Sequence, residues 1–239
     1  MIPVHYDLHI HSCLSPCGDN EMTPANIVGM AFVKELQVIA VTDHNSCKNC
    51  PAVCNLAKEY GIIALPGMEL TTAEEVHVLC LFAKLEDAMA FDAYVYERLL
   101  STPNEERIFG QQLILDEEEN ILGTVEKLLI QATTISFDEV FDLMQQYHGI
   151  MIPAHLDKST TSLLSNLGWI PPDSRFTIVE LAHLSQLHGL RKKHTYLQQC
   201  RILCNSDAHY LKDIHEPEHT IWIEELSVQG VWKVLCNGL

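Results

Sequence analysis

The chain carries thirteen histidines in 239 residues, and several stand where an apolar run gives way to polar residues. The first run closes as Asp7-Leu8-His9-Ile10-His11. Residues two apart on a strand face the same side, so His9 and His11 can reach one ion while Leu8 and Ile10 pack behind them. By itself a His-x-His pair says little, because imidazoles are common at surfaces and in cores. The pattern recurs, however. Thr42-Asp43-His44-Asn45 follows a second apolar run, Gly67-Met68-Glu69 a third, Pro153-Ala154-His155 a fourth and Asn205-Ser206-Asp207-Ala208-His209 a fifth, while His77 opens Val76-His77-Val78-Leu79. Ionisable groups are costly to bury unless they are paired or coordinate something. Strand-to-loop junctions are also where parallel α/β sheets assemble their sites. Six such positions therefore point to a metal centre. Mixed imidazole and carboxylate donors suit zinc, manganese or iron, and the lack of cysteine at these six argues against a purely structural zinc.

The elements that must position these groups are legible as alternating apolar runs and amphipathic stretches. Strands are predicted over 4–10, 38–42, 62–66, 76–82, 150–154, 178–181, 202–205 and 220–223, several of them near-continuous and β-branched. Thr23-Pro24 is a helix cap with a first-turn proline, opening a helix to about residue 36. Ser136-Phe137-Asp138-Glu139 is a capping box before the stripe Val140, Phe141, Met144. Further helices are predicted near 51–60, 86–100, 159–167, 190–200 and 227–236. This alternation predicts an α/β fold with a mostly parallel sheet, open or closed into a barrel. Residues 111–116 and 121–124, around the acidic turn 117–120, read as a hairpin with a solvated tip. No repeat, low-complexity tract or linker divides the chain, so residues 1–239 are expected to form one domain.

Composition excludes other classes. Hydrophobic residues make up 47% of the chain, enough for a sizeable core. No apolar run reaches the roughly 18–20 residues of a membrane span. The N-terminal residues lack the basic and apolar regions of a signal peptide, so a cytoplasmic location is expected. Fifteen basic residues against 32 acidic ones give a net charge of −17. Such a surface is expected to repel nucleic acid and anionic membranes. A phosphate-bearing substrate then needs local positive charge, for which bound metal is the obvious source. Of nine cysteines, Cys13, Cys17, Cys47, Cys50 and Cys54 crowd into the first quarter of the chain. Four of these follow the first two strands, where they could hold a structural zinc or an iron–sulfur cluster. Free, packed thiols are the expected outcome.

Taken together, Asp7-Leu8-His9-Ile10-His11-Ser12, Thr42-Asp43-His44, Gly67-Met68-Glu69, His77, Pro153-Ala154-His155 and Asn205-Ser206-Asp207-Ala208-His209 resemble, in order and spacing, the motifs of the PHP family, the polymerase and histidinol phosphatase domain. The resemblance implies a distorted (β/α)7 TIM-like barrel, here with an inserted hairpin near 111–124. It also implies two to three divalent ions (zinc, manganese or iron) and hydrolysis of phosphate esters through a metal-activated water. His9 and His11 would share the first ion with Glu69 and Asp207. Glu69 would bridge to a second ion held by His77 and His155, and His44 with His209 would hold a third. Family members complete that third site with a His or Asp, often in a Ser-Asp-Gly sequence. This chain instead reads Ser15-Pro16-Cys17-Gly18-Asp19-Asn20-Glu21-Met22-Thr23-Pro24. Counting back from Thr23-Pro24 assigns the role to Asp19 after a three-residue insertion, with Cys17 as its rival.

Asp7, beside the catalytic carboxylates Glu69 and Asp207, would orient a ligand imidazole. Lys158, three residues past His155, is placed to meet a substrate phosphate. His183 lies near a strand end, and His5, His148, His188, His194, His215 and His219 read as surface or cap residues. The expected partner is a small phosphomonoester or short nucleotide phosphoester, with no long nucleic acid and no membrane. Two alternatives are a barrel hydrolase acting on C–N bonds and a metal-binding regulatory or redox module centred on the cysteine loops.

Overall fold

The apolar runs become strands close to their predicted bounds. The computed structural model describes residues 1–236. In it β1 (Ile2–Ile10), β2 (Val38–Val41), β3 (Ile63–Thr71), β4 (His77–Phe82), β7 (Gly149–Pro153) and β10 (Thr220–Ile223) form a six-stranded sheet in the order β10-β1-β2-β3-β4-β7. A hairpin of β5 (Leu113–Leu115) and β6 (Ile121–Thr124) pairs antiparallel, and β8 (Ile178–Glu180) and β9 (Arg201–Leu203) pair in parallel. Eight α-helical segments intervene: α1 (Pro24–Val33), α2 (Cys50–Glu59), α3 (Leu85–Arg98), α4 (Glu106–Phe109), α5 (Phe137–Gln146), α6 (Leu163–Asn166), α7 (Leu187–Lys193) and α8 (Val228–Cys236).

The caps behave as their chemistry predicts. The Thr23 hydroxyl accepts from the Asn26 amide, and Glu139 reaches back 2.8 Å to the Ser136 amide. The stretch expected as a helix over 159–167 shrinks to one turn, α6, and the one over 190–200 ends at Lys193 before a 3-10 turn at Thr195–Gln198. No helix among the described residues is long and apolar enough to cross a membrane.

Strand direction departs from the mostly parallel expectation. β1, β2 and β3 run parallel, but β4 is antiparallel to both β3 and β7, and β10 is antiparallel to β1. The reason lies in the turn over residues 72–76, which is too short for a parallel crossover, so β4 must run back along β3. The start of β4 therefore lies at the same rim as the ends of β3 and β7. His77 pairs with Thr71, and its carbonyl accepts from the Ala154 amide at 3.0 Å.

The sheet is curled. Val4, Tyr6, Leu8, Val38, Ala40, Leu65, Leu79, Ile152, Ile178 and Leu203 come from seven strands and pack as one buried cluster, which requires a concave inner face. Outside it, α1 and α2 cover Ile39 and Val41, while α3 and α5 cover Val78, Cys80 and Phe82. Burial of these apolar faces on both sides of the strands drives the architecture.

One irregularity aims the first two histidines. Asp7 pairs with Ile39 and Ile10 with Val41, so Leu8 and His9 together oppose Ala40 alone. This β-bulge changes which face each residue shows. Leu8 packs in the inner cluster and Ile10 against α1, on opposite sides of the sheet. The expectation that both pack behind the histidines on one face is thereby corrected.

Candidate metal centre

Strand ends β1, β3 and β7, the start of β4 and the loops after β2 and β9 bring eight ionisable groups to one rim. Glu69, 1% exposed, sits at their middle. Its Oε1 lies 2.9 Å from His77 Nδ1, 3.1 Å from His155 Nε2 and 3.4 Å from His9 Nε2. Its Oε2 lies 3.1 Å from His44 Nδ1 and 3.4 Å from His11 Nε2. Asp207 Oδ1 stands 3.2 Å from both His9 Nε2 and His11 Nε2. Among the described residues, three sets of donor atoms lie close enough together to share an ion, each within 4.8 Å: His9, His11, Glu69 and Asp207; His44, Glu69 and His77; and His11, Cys17, His44 and His209.

The tautomers fit cation binding. His9 Nδ1 is 3.1 Å from both oxygens of Glu180, which can only accept, so that nitrogen carries a proton. His11 Nδ1 lies 2.9 Å from Ser15 Oγ, whose own proton goes to Asp43 at 2.7 Å. His209 Nδ1 lies 2.8 Å from the Asp207 carbonyl, again an acceptor only. Each Nε2 is then a lone pair directed into the site. The Nε2 atoms of His9 and His11 are 3.1 Å apart, a contact that repels unless a cation or a proton lies between. His155 Nδ1 is buried without a hydrogen-bond partner among the described residues, and His44 Nδ1, although close to Glu69 Oε2, is not aligned for a hydrogen bond. Donors arranged in this way suit divalent ions.

The electrostatics agree. Burial opposes the charge on Glu69, yet His77, His9 and His44 hold its pKa well below the usual range. Burial likewise opposes a proton on His11, but Asp207 and Glu69 hold it up at about 9, and Glu180 and Asp207 keep His9 well above its ordinary value. Protons thus stand in where cations would sit. Burial instead drives His44 down to about 3 and His209 to about 4, leaving both neutral donors. Three residues near the rim hold left-handed backbone without being glycine: Asn45 (φ 50°), His155 (φ 29°) and Asp207 (φ 52°). Such conformations cost roughly 1–3 kcal/mol each and persist where surrounding contacts over-determine them. Asn45 shows those contacts, donating to the Leu129 and Gln131 carbonyls and accepting from the Thr71 amide.

Most of the residues singled out in the sequence meet here; two do not. Asp7 is fully buried, but its carboxylate accepts from the Ser206 and His215 amides, each at 3.1 Å, and the carboxylate that holds the His9 ring is Glu180. Asp19 is also displaced. Its carboxylate accepts from the Glu21 amide, and its own amide donates 2.9 Å to the His209 carbonyl. That contact draws the loop inward so that Cys17 Sγ, not Asp19, stands 3.0 Å from His209 Nε2. Lys158 lies at the rim with its ammonium on Asp207 Oδ2, and that partner raises its pKa although burial opposes it. His183 is exposed beside Asp157. All nine cysteines are free. Cys47 and Cys50 both direct their sulfurs at the Gly67 carbonyl, at 3.2 and 3.4 Å, inside the core. Glu180 was missed because it stands at the end of a short strand, outside the motifs that drew attention to the other positions; its signal was a carboxylate at a strand terminus, as for Glu69.

Comparison with known proteins supplies the family. The sequence profile of the PHP domain matches residues 7–159. A 5′-3′ exoribonuclease of Haemophilus influenzae is 33% identical over 79 residues, 32% of this chain and 28% of that protein. The fold matches the lesion-specific endonuclease PfuEndoQ of Pyrococcus furiosus, with a TM-score of 0.69 and 19% identity over 99% of this chain and 57% of the other. It also matches an Endonuclease Q bound to a 27-mer duplex with an abasic lesion at the active site, with a TM-score of 0.66 and 17% identity over 98% of this chain and 56% of that one. The matched region is under half of the curated relatives' length and just over half of these two solved chains. These neighbours overturn the expectation of a small phosphorylated partner with long nucleic acid excluded. A net charge of −17 sums the whole surface, whereas a phosphate backbone responds to the local potential where cations gather.

Proposed function

The chain belongs to the PHP domain family of metal-dependent phosphoesterases, and on that premise we propose that it hydrolyses phosphodiester bonds in nucleic acid. The observation that carries this reading is Glu69, a buried carboxylate with five imidazole nitrogens within 3.4 Å, shared between adjacent donor sets. His9, His11, Glu69 and Asp207 would hold one ion. Glu69, His77 and His155 would hold a second, and His44 with His209 a third. When bound, such ions supply an activated water and positive charge against the phosphoryl oxygens. Glu180 fixes the His9 ring and also accepts from the His155 amide at 2.8 Å, so one carboxylate sets the geometry of two ligands. Lys158, released from Asp207, would meet a nonbridging oxygen as a point charge. The nucleic-acid substrate is supported by the duplex at the active site of Endonuclease Q and by the exoribonuclease match.

The test is a panel of end-labelled RNA, single-stranded DNA, intact duplex and duplex with an abasic site, beside p-nitrophenyl phosphate and a p-nitroanilide amide, with zinc, manganese or iron added. Cleavage of a nucleic acid that is abolished by chelator and by Glu69→Gln, with the variant's circular dichroism unchanged, is the expected result. Turnover of the amide alone, or full activity in Glu69→Gln, refutes the proposal.

A further inference from the structure

Resting on that reading, we propose that Cys17 is a thiolate ligand of the third ion, making it a sulfur-containing site selective for zinc beside two oxygen- and imidazole-bound neighbours. The sulfur does not stand alone. Cys17 Sγ, His44, His209 and His11 offer donor atoms within 4.8 Å of one another. His209 directs its Nε2 lone pair at the sulfur from 3.0 Å, since its Nδ1 proton is committed to the Asp207 carbonyl. His44, 4% exposed, keeps a buried Nδ1 that lies 3.1 Å from Glu69 Oε2 yet makes no hydrogen bond of proper geometry among the described residues. A bare Cys–His hydrogen bond would explain the first contact but not the second nitrogen.

The loop is built to deliver the sulfur. Ser15 Oγ donates to Asp43, the Gly18 amide donates to the Ser15 carbonyl, and the Asp19 amide donates to the His209 carbonyl. At Gly18 a Cβ would come within 2.2 Å of the Ser12 carbonyl oxygen, so the turn that follows Cys17 admits only glycine. The other thiols lack this surrounding. Cys47 and Cys50 face the Gly67 carbonyl in the core, and Cys54 faces the Ala64 carbonyl.

Coordination is balanced simply: the Cys17 S–H bond breaks, its proton leaves to solvent, and the sulfur lone pair bonds the cation, with no change of oxidation state. A thiolate shifts preference towards zinc or cobalt and away from manganese or magnesium, which prefer oxygen donors. The first two sites, with carboxylate and imidazole alone, carry no such bias.

The full-length chain, stripped with chelator and reloaded with cobalt(II), is expected to show a near-ultraviolet thiolate-to-cobalt band. Cys17→Ser should lose that band and about one equivalent of zinc, whereas Asp19→Ala should keep both. Alkylation mapped by mass spectrometry covers the case in which Cys17→Ser fails to fold. In the wild type Cys17 should be protected by zinc and labelled after chelation, with exposed Cys236 labelled in both states. A cobalt-loaded wild type without the band, a band surviving in Cys17→Ser, or equal labelling of Cys17 with and without zinc overturns the proposal. If nucleic acid is still cleaved under any of these outcomes, only the Cys17 assignment fails; a chain that neither binds metal nor cleaves loses the functional reading too.

Discussion

Replacing Glu180 by Gln removes one charge and changes no shape, yet four hydrogen bonds decide its effect. Oε1 accepts from Asn205 Nδ2 at 2.6 Å and from His9 Nδ1 at 3.1 Å. Oε2 accepts from the His155 amide at 2.8 Å and from His9 Nδ1 at 3.1 Å. Every partner is a donor, so a glutamine amide must turn its NH2 towards either Asn205 or the His155 backbone, whichever way it flips. One buried donor is then unsatisfied, at roughly 1–3 kcal/mol of stability. The His9 ring meanwhile loses the charge that fixes its tautomer. Partners of this kind typically govern ten- to hundredfold in metal affinity, about 1.4–3 kcal/mol. We therefore expect Glu180→Gln to weaken the tightest ion by that factor, with kcat falling in parallel and the circular dichroism unchanged. Competition against a fluorescent chelator reads the affinity, and thermal melting in excess metal reads the fold. An affinity within twofold of wild type in a folded variant refutes the role of Glu180, and with it the claim that His9 is a ligand held in place from behind.

Two more expectations follow from the same groups. In the chelator-stripped protein, folded His11 titrates at about 9 against an ordinary 6.5, so it binds more protons than the unfolded chain and its stabilisation is lost as pH rises from about 6.5 through about 9. His44 and His209 are pushed to about 3 and about 4; they bind fewer protons than when unfolded, so stability also falls as pH drops below about 6.5. Melting temperature of the stripped protein should peak near neutrality, and a profile rising steadily to about pH 9 contradicts the assignment. Lys158→Met keeps the aliphatic stem but removes the ammonium on Asp207; kcat/KM on nucleic acid should fall tenfold or more, as for loss of a charged contact, while metal affinity holds or rises. Unchanged kcat/KM removes Lys158 from substrate binding.

What the sequence revealed and what it hid divide along the range of the interactions. Strand positions and the Thr23 and Ser136 caps depend on neighbours a few residues away, and they are readable. The gathering of His9, His44, Glu69, His77, His155 and Asp207 was legible too, because strand termini at one rim meet by topology. Glu180 was not, since its role is defined by His9, 171 residues away. Choosing Cys17 over Asp19 likewise required the loop path, which is set by backbone contacts to His209 and side-chain contacts to Asp43. The carboxylate of Asp7 looked like a ring partner by spacing alone, but the loop after β9 and the segment around His215 claim it first. The direction of β4 could have been inferred from the short turn before it.

The extra residue in β1 separates the strand into two registers. Up to Leu8 alternate side chains, Val4, Tyr6 and Leu8, enter the hydrophobic layer inside the curl; from His9 onward the phase belongs to the ion cluster. Val4 and Tyr6 can therefore be exchanged to suit the core without disturbing which way the histidines point. Straightening the bulge with every residue kept, so that His9 rather than Ile10 met Val41, would have the opposite effect, turning His9 and His11 out beneath α1 and Ile10 into the cavity with the composition unaltered.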